Sequence, residues 1–120
     1  MITQETILTN VEHGVPSGNY DGSSQDWYSD AVQAAAYFRG RGSLQTLIIS
    51  VAEFQGKITV EATLDTLADT ATWFDTYEYD STGSPSSDYH PENITGNFVW
   101  IRLRVEDFSA GTITAVTVGF

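Results

Sequence analysis

The stretch Asn97-Phe98-Val99-Trp100-Ile101-Arg102-Leu103-Arg104-Val105 decides the fold class. Successive side chains of a strand point to opposite faces, so a strand with one buried face shows a period of two. Here Val99, Ile101, Leu103 and Val105 fall on one face, and Phe98, Trp100, Arg102 and Arg104 on the other. Residues 57–64 repeat the pattern, with Ile58, Val60, Ala62 and Leu64 separated by Thr59, Glu61 and Thr63. Further out, 44–51 offers Leu47, Ile49 and Val51, 32–38 offers Val32, Ala34, Ala36 and Phe38, and 72–79 is aromatic and β-branched. Each of these predicts a strand. Residues 30–37 alone carry a helical alternative, because they are rich in alanine and Asp30 stands where a cap would. Three stretches read as loops: 15–29, rich in Gly, Ser, Asp and Asn; 39–43; and 80–96, which holds Pro85 and Pro91.

The chain contains an internal echo. Val51-Ala52-Glu53-Phe54-Gln55-Gly56-Lys57-Ile58-Thr59 matches Val105-Glu106-Asp107-Phe108-Ser109-Ala110-Gly111-Thr112-Ile113-Thr114 with one residue inserted. Both read as strand, acid-Phe, Gly turn, strand, which predicts two hairpins at equivalent corners with each Phe plugging an end of the core. The whole reads as one all-β domain over 1–120, an antiparallel β-sandwich, jelly-roll-like or Ig-like, of about seven or eight strands.

Composition narrows the function. The 120 residues suit one core, and 41% hydrophobic with 18% charged residues is a globular balance. Sixteen acids against five Lys and Arg give a net charge of −11, which repels nucleic-acid phosphates and anionic lipid and favours basic protein surfaces. Neither nucleic acid nor membrane is an expected partner. No cysteine is present, so disulfides, thiol nucleophiles and Cys-type zinc sites are excluded. The opening Met-Ile-Thr-Gln-Glu has neither a basic nor an apolar leader region. Export through a cleaved signal is therefore not expected, and the sequon Asn93-Ile94-Thr95 is expected to stay unmodified.

No motif carries catalysis. His13 and His90 are the only histidines, and neither reads as having a His, Cys or carboxylate at zinc-like spacing within a regular element. Arg39-Gly40-Arg41-Gly42 lacks the spacing and the Lys-Ser/Thr of a phosphate loop and reads as a turn. Acid pairs are too abundant for carboxylate spacing to single out a glycosidase pair. The expectation is no enzyme, no cofactor and no metal site. Calcium has oxygen donors to choose from in Asp21, Asp26, Asp30, Asp65 and Asp69, but they form no Asp-x-Asp-x-Asp-Gly pattern, and solvated turn acids are the default.

Aromatic residues mark the candidate surfaces. Tyr20, Trp27 and Tyr28 share a loop with Asn19, Asp21, Gln25 and Asp26, a mixture suited to stacking on a sugar, anchoring in a partner's groove, or capping the core. Phe98, Trp100, Arg102 and Arg104 join aromatics and cations on one strand face. That face fits the centre of a protein interface. It equally fits internal packing, with the arginines answering a carboxylate such as Glu61 on a neighbouring strand.

The runs Val15-Pro16-Ser17-Gly18-Asn19-Tyr20-Asp21-Gly22-Ser23-Ser24, Ala34-Ala35-Ala36-Tyr37-Phe38 and Thr95-Gly96-Asn97-Phe98-Val99-Trp100-Ile101-Arg102, with Ala110-Gly111-Thr112-Ile113, resemble the small virion structural proteins of tailed phages, especially marine and cyanobacterial ones. The resemblance covers most of the chain through strand and turn signatures. It implies a β-sandwich in the virion, made in the host cytoplasm. The role it implies first is a capsid decoration or cement protein on the major capsid protein, with homotrimers common. A tail, neck or fibre component is the variant. A glycan-binding module using Tyr20, Trp27 and Tyr28 is the alternative from a different class.

Overall fold

A strand of 20 residues, at about 3.3 Å per residue, would run roughly 66 Å if straight. Two strands of that length lie in this chain, whose longest dimension is 39 Å, so both must bend near their middles. The computed structural model describes residues 4–39 and 44–120. In chain order the elements are β1 (Gln4–Glu12), β2 (Trp27–Tyr28), β3 (Val32–Gln33), α1 (Ala35–Arg39), β4 (Leu44–Thr63), β5 (Phe74–Asp80), β6 (Ser86–Thr95) and β7 (Trp100–Gly119), with a 3-10 turn at Ala68–Thr70 before β5.

The long strands β4 and β7 pair antiparallel along their whole length, from Thr46 opposite Gly119 to Thr63 opposite Trp100. Their bends coincide. The first half of β4 lies between β6 and the second half of β7, which carries β1 on its far side. The second half of β4 lies between β5 and the first half of β7, which carries β2 and β3. A single seven-stranded sheet thus folds over on itself, and its two halves enclose one core. Leu47, Ile49 and Val51 from one half of β4 and Ile58, Val60 and Ala62 from the other all enter that core, as do Ile101, Leu103, Val105, Ile113, Val116 and Val118 of β7. The all-β class and the sandwich-like shape are as read from the sequence; the layers come from one continuous sheet.

The echo forms the fold line, and here the hairpin expectation is corrected. The chain does not reverse at Gly56 or Gly111; it kinks and continues as the same strand. Each kink is a bulge with an acid in left-handed conformation, Glu53 at φ 53° and Asp107 at φ 54°, followed by a fully buried Phe. A bulge bends the strand and leaves an amide out of the ladder. A side chain receives each one: Glu53 N–H donates to Ser87 Oγ at 3.0 Å, and Asp107 N–H to Asp26 Oδ1 at 3.0 Å. Phe54 and Phe108 meet at 5.7 Å between centroids, filling the inside of the fold. Gly111 is required there, because a Cβ on it would overlap the Glu53 carbonyl and come within 2.6 Å of Phe54 Cα.

Two other expectations change. Residues 32–38, read as a strand, give only β3 before turning into α1, whose Ala35 and Ala36 are small enough to seat the helix against the sheet. Residues 80–96, read as a loop, contain β6, an edge strand in which Pro91 pairs with Ile48; an edge tolerates proline because one side of the strand has no ladder to complete. Residues 40–43 of the Gly-rich turn lie outside the described residues.

Candidate functional site

The outer face of the second half-sheet assembles the charged and aromatic residues of strands β2, β4, β5 and β7. Alternation along β7 sends Arg102 and Arg104 away from the core, next to Glu61 of β4. Arg102 Nε and Arg104 Nη1 each donate to a different oxygen of Glu61 at 2.6 Å. The two long side chains cover that carboxylate, leaving Glu61 only 4% exposed although it lies on the outer face. Arg104 also donates to Asp75 and Glu106, and these hydrogen bonds, the one to Asp75 first and the one to Glu106 next, hold its guanidinium above its ordinary pKa. Lys57 extends the network to Glu78 and Glu106, 3.9 Å from each.

Arg102 is held from three sides. Its guanidinium carbon stands 4.4 Å from the ring centroid of Tyr28 and 4.4 Å from that of Trp73. Two aromatic faces therefore clasp the cation while Glu61 fixes its Nε edge, a preorganised cation–π arrangement. Trp73 was not among the residues singled out in the sequence, since the aromatic run 72–79 shows a strand without showing which ring meets the arginine.

The other candidates fall elsewhere. Phe98 precedes β7, departs from the strand's alternation and is buried against Phe74 at 5.7 Å, so it is not an outward residue. Trp100 is half-buried at the open end of the fold, its Nε1 donating to the Thr66 carbonyl at 3.0 Å and its ring 5.2 Å from Tyr37. Tyr20 and Trp27 are core residues packed on Phe108 at 5.1 and 6.3 Å, so of the three readings of that loop they follow the core-capping one and are not placed as groove anchors or sugar platforms. Of the three aromatic residues in that loop, Tyr28 alone is exposed.

Four of the acids weighed for calcium, Asp21, Asp26, Asp30 and Asp65, accept hydrogen bonds from the protein itself. Asp26 receives the Asp107 amide, Asp30 the Asn19 side-chain amide and Asp65 the Thr72 amide. Asp21 accepts from the amides of Ser24 and Ser23 and the Ser24 hydroxyl, which lowers its pKa from 3.8 to about 2. A carboxylate depressed in the folded state contributes stability that is full above its unfolded value near 3.8 and is lost as pH falls through about 2. An NMR titration of the Asp21 carboxyl carbon is expected to show the low midpoint; a midpoint at 3.8 or above would contradict the Asx turn.

His90 requires a correction. With β6 a strand, Asp88, His90 and Glu92 share a face at i−2, i and i+2, a spacing hidden while 80–96 read as a loop. His90 Nε2 lies 2.8 Å from Tyr77 Oη and 3.3 Å from Glu92 Oε1, with Nδ1 4.0 Å from Asp88. Tyr79 Oη completes the set by donating to Asp88 at 3.3 Å. The cluster joins edge strands β5 and β6 where the folded sheet is open. Among the described residues no group of three or more His, Asp or Glu side chains is arranged to hold a metal ion.

No family model, curated protein or solved structure matches this chain.

Proposed function

We propose that this protein is a structural accessory protein of a virion, a capsid decoration or cement protein that adheres to the capsid lattice through the face built around Arg102. The observation that carries the reading is the clasp of Arg102 between Tyr28 and Trp73 over the buried Glu61. Association normally costs about 0.5–1.5 kcal/mol for each long side chain it immobilises. Here the arginine and both rings are ordered before a partner arrives. Tyr, Trp and Arg are also the residue types that dominate binding energy at protein interfaces. The net charge of −11 favours a lattice surface of basic character. Modest affinity per copy suffices, because repeated sites on a lattice, or three copies in a homotrimer, multiply it.

The virion setting comes from the resemblance of the quoted runs to phage structural proteins, and the docking chemistry from the Arg102 face. A tail, neck or fibre position would use the same face on a different neighbour. Replacing Arg102 and Trp73 together with alanine is expected to lower the protein's occupancy on purified particles at least about tenfold, a loss of about 1.4 kcal/mol or more per copy. Its circular-dichroism spectrum should stay β-rich. Tyr89→Ala, at an exposed ring on β6, is expected to leave occupancy unchanged. Normal occupancy of the Arg102, Trp73 double variant would overturn the assignment of the face.

A further inference from the structure

We propose that the depression at the open end of the folded sheet is a binding site for a single neutral hexopyranose ring, a role independent of lattice docking. The bent strands close the molecule at Phe54 and Phe108 and leave the opposite end to α1 and the segments flanking β5 and β7. A depression of about 430 Å³ opens there, lined by Ala36, Tyr37, Thr66, Asn97 and Val99. That volume lies in the range of small-ligand sites, which are mostly apolar with a few placed polar groups.

The lining has the two-sided chemistry of a sugar. Tyr37 is 46% exposed and sits between Phe38 and Trp100, with ring centroids at 5.6 and 5.2 Å. Packing against two rings restrains it as a platform, and Trp100 is itself tied down by its bond to the Thr66 carbonyl. A pyranose places axial C–H groups on one face and hydroxyls around its rim. The C–H face suits the Tyr37 ring, and the rim hydroxyls suit the polar residues of the lining, Thr66 and Asn97. Ala36 and Val99 supply apolar lining.

Charge narrows the class further. A chain at −11 disfavours uronic acids, sialic acids and nucleotides, so the ligand is an uncharged hexose or N-acetylhexosamine. The depression also replaces the loop that the sequence suggested for glycan, where Tyr20 and Trp27 are buried and only Tyr28 remains outside, already stacked on Arg102.

The test is an NMR amide titration of the full chain with the methyl glycosides of glucose, galactose, mannose and N-acetylglucosamine, with sialic acid and N-acetyl-leucine amide as further probes. Saturable shifts confined to residues 36–37, 66 and 97–99 are expected with at least one neutral sugar and not with sialic acid. Tyr37→Phe should bind within about threefold of the parent, and Tyr37→Ala at least about tenfold more weakly. Absence of saturable shifts with all four sugars, equal binding by Tyr37→Ala, or shifts with the leucine probe alone would each overturn the proposal. Particle occupancy of the Arg102, Trp73 variant is read separately, so either idea can fail without the other.

Discussion

Gly111→Ala is expected to destabilise the fold by about 4 kcal/mol. Two costs add. Gly111 has φ +86°, where a Cβ is strained, and the new methyl would overlap the Glu53 carbonyl at the point where β4 and β7 kink past each other. That neighbour is backbone held in a bulge, so it cannot swing aside as a flexible side chain would. Gly83→Ala is the matched control, with φ +79° and nothing within 4 Å of the added atom. It isolates the conformational cost of about 1 kcal/mol. Urea unfolding of both variants checks the difference, and equal midpoints would show that the two bulges do not approach as described.

Phe108→Ala is the second large effect, expected to cost about 3–5 kcal/mol. Phe108 is fully buried and its ring touches those of His13, Tyr20, Trp27 and Phe54. Removing it empties the inside of the fold line, where the rings of His13, Tyr20, Trp27 and Phe54 converge on it. Phe38→Ala, at a ring 44% exposed on α1, is expected to cost less than about 1 kcal/mol. Thermal or urea unfolding distinguishes them. Similar losses for both would mean that the core is not organised around Phe108.

The pattern of the fold was legible where one face of a strand is buried and the other is not. Ile101, Leu103 and Val105 are all fully buried, and Arg102 and Arg104 lie between them on the outside, as alternation requires. The reading slipped at Phe98, because alternation holds only within the strand and β7 begins at Trp100. Residues 80–96 were hidden by Pro85 and Pro91, which argue against a central strand and are compatible with an edge. That hid the shared face of Asp88, His90 and Glu92 as well.

The echo was visible, yet its geometry was not. A glycine five or six residues beyond the last alternating valine, Gly56 after Val51 and Gly111 after Val105, supports either a reversal or a bulge, and only pairing partners decide between them. The sequence of 51–59 does not state that it lies against 105–114. For the candidate site, the pairing of Arg102 and Arg104 with Glu61 was open to a sequence argument, since all three fall on polar phases of strands that alternate well. The clasp by Trp73 and the platform at Tyr37 were not. Both depend on where a segment next to a strand end, just before β5 or within α1, is carried in three dimensions, and local periodicity holds no record of that.

In the role proposed above, the face around Arg102 adheres to a neighbouring virion subunit. Cryo-electron imaging of an assembled particle carrying the protein tests this most directly. A neighbour's density is expected against Tyr28, Trp73 and Arg102, with the fold line at Phe54 and Phe108 unaltered. A particle in which that face is turned to solvent while another surface makes the contact would contradict it.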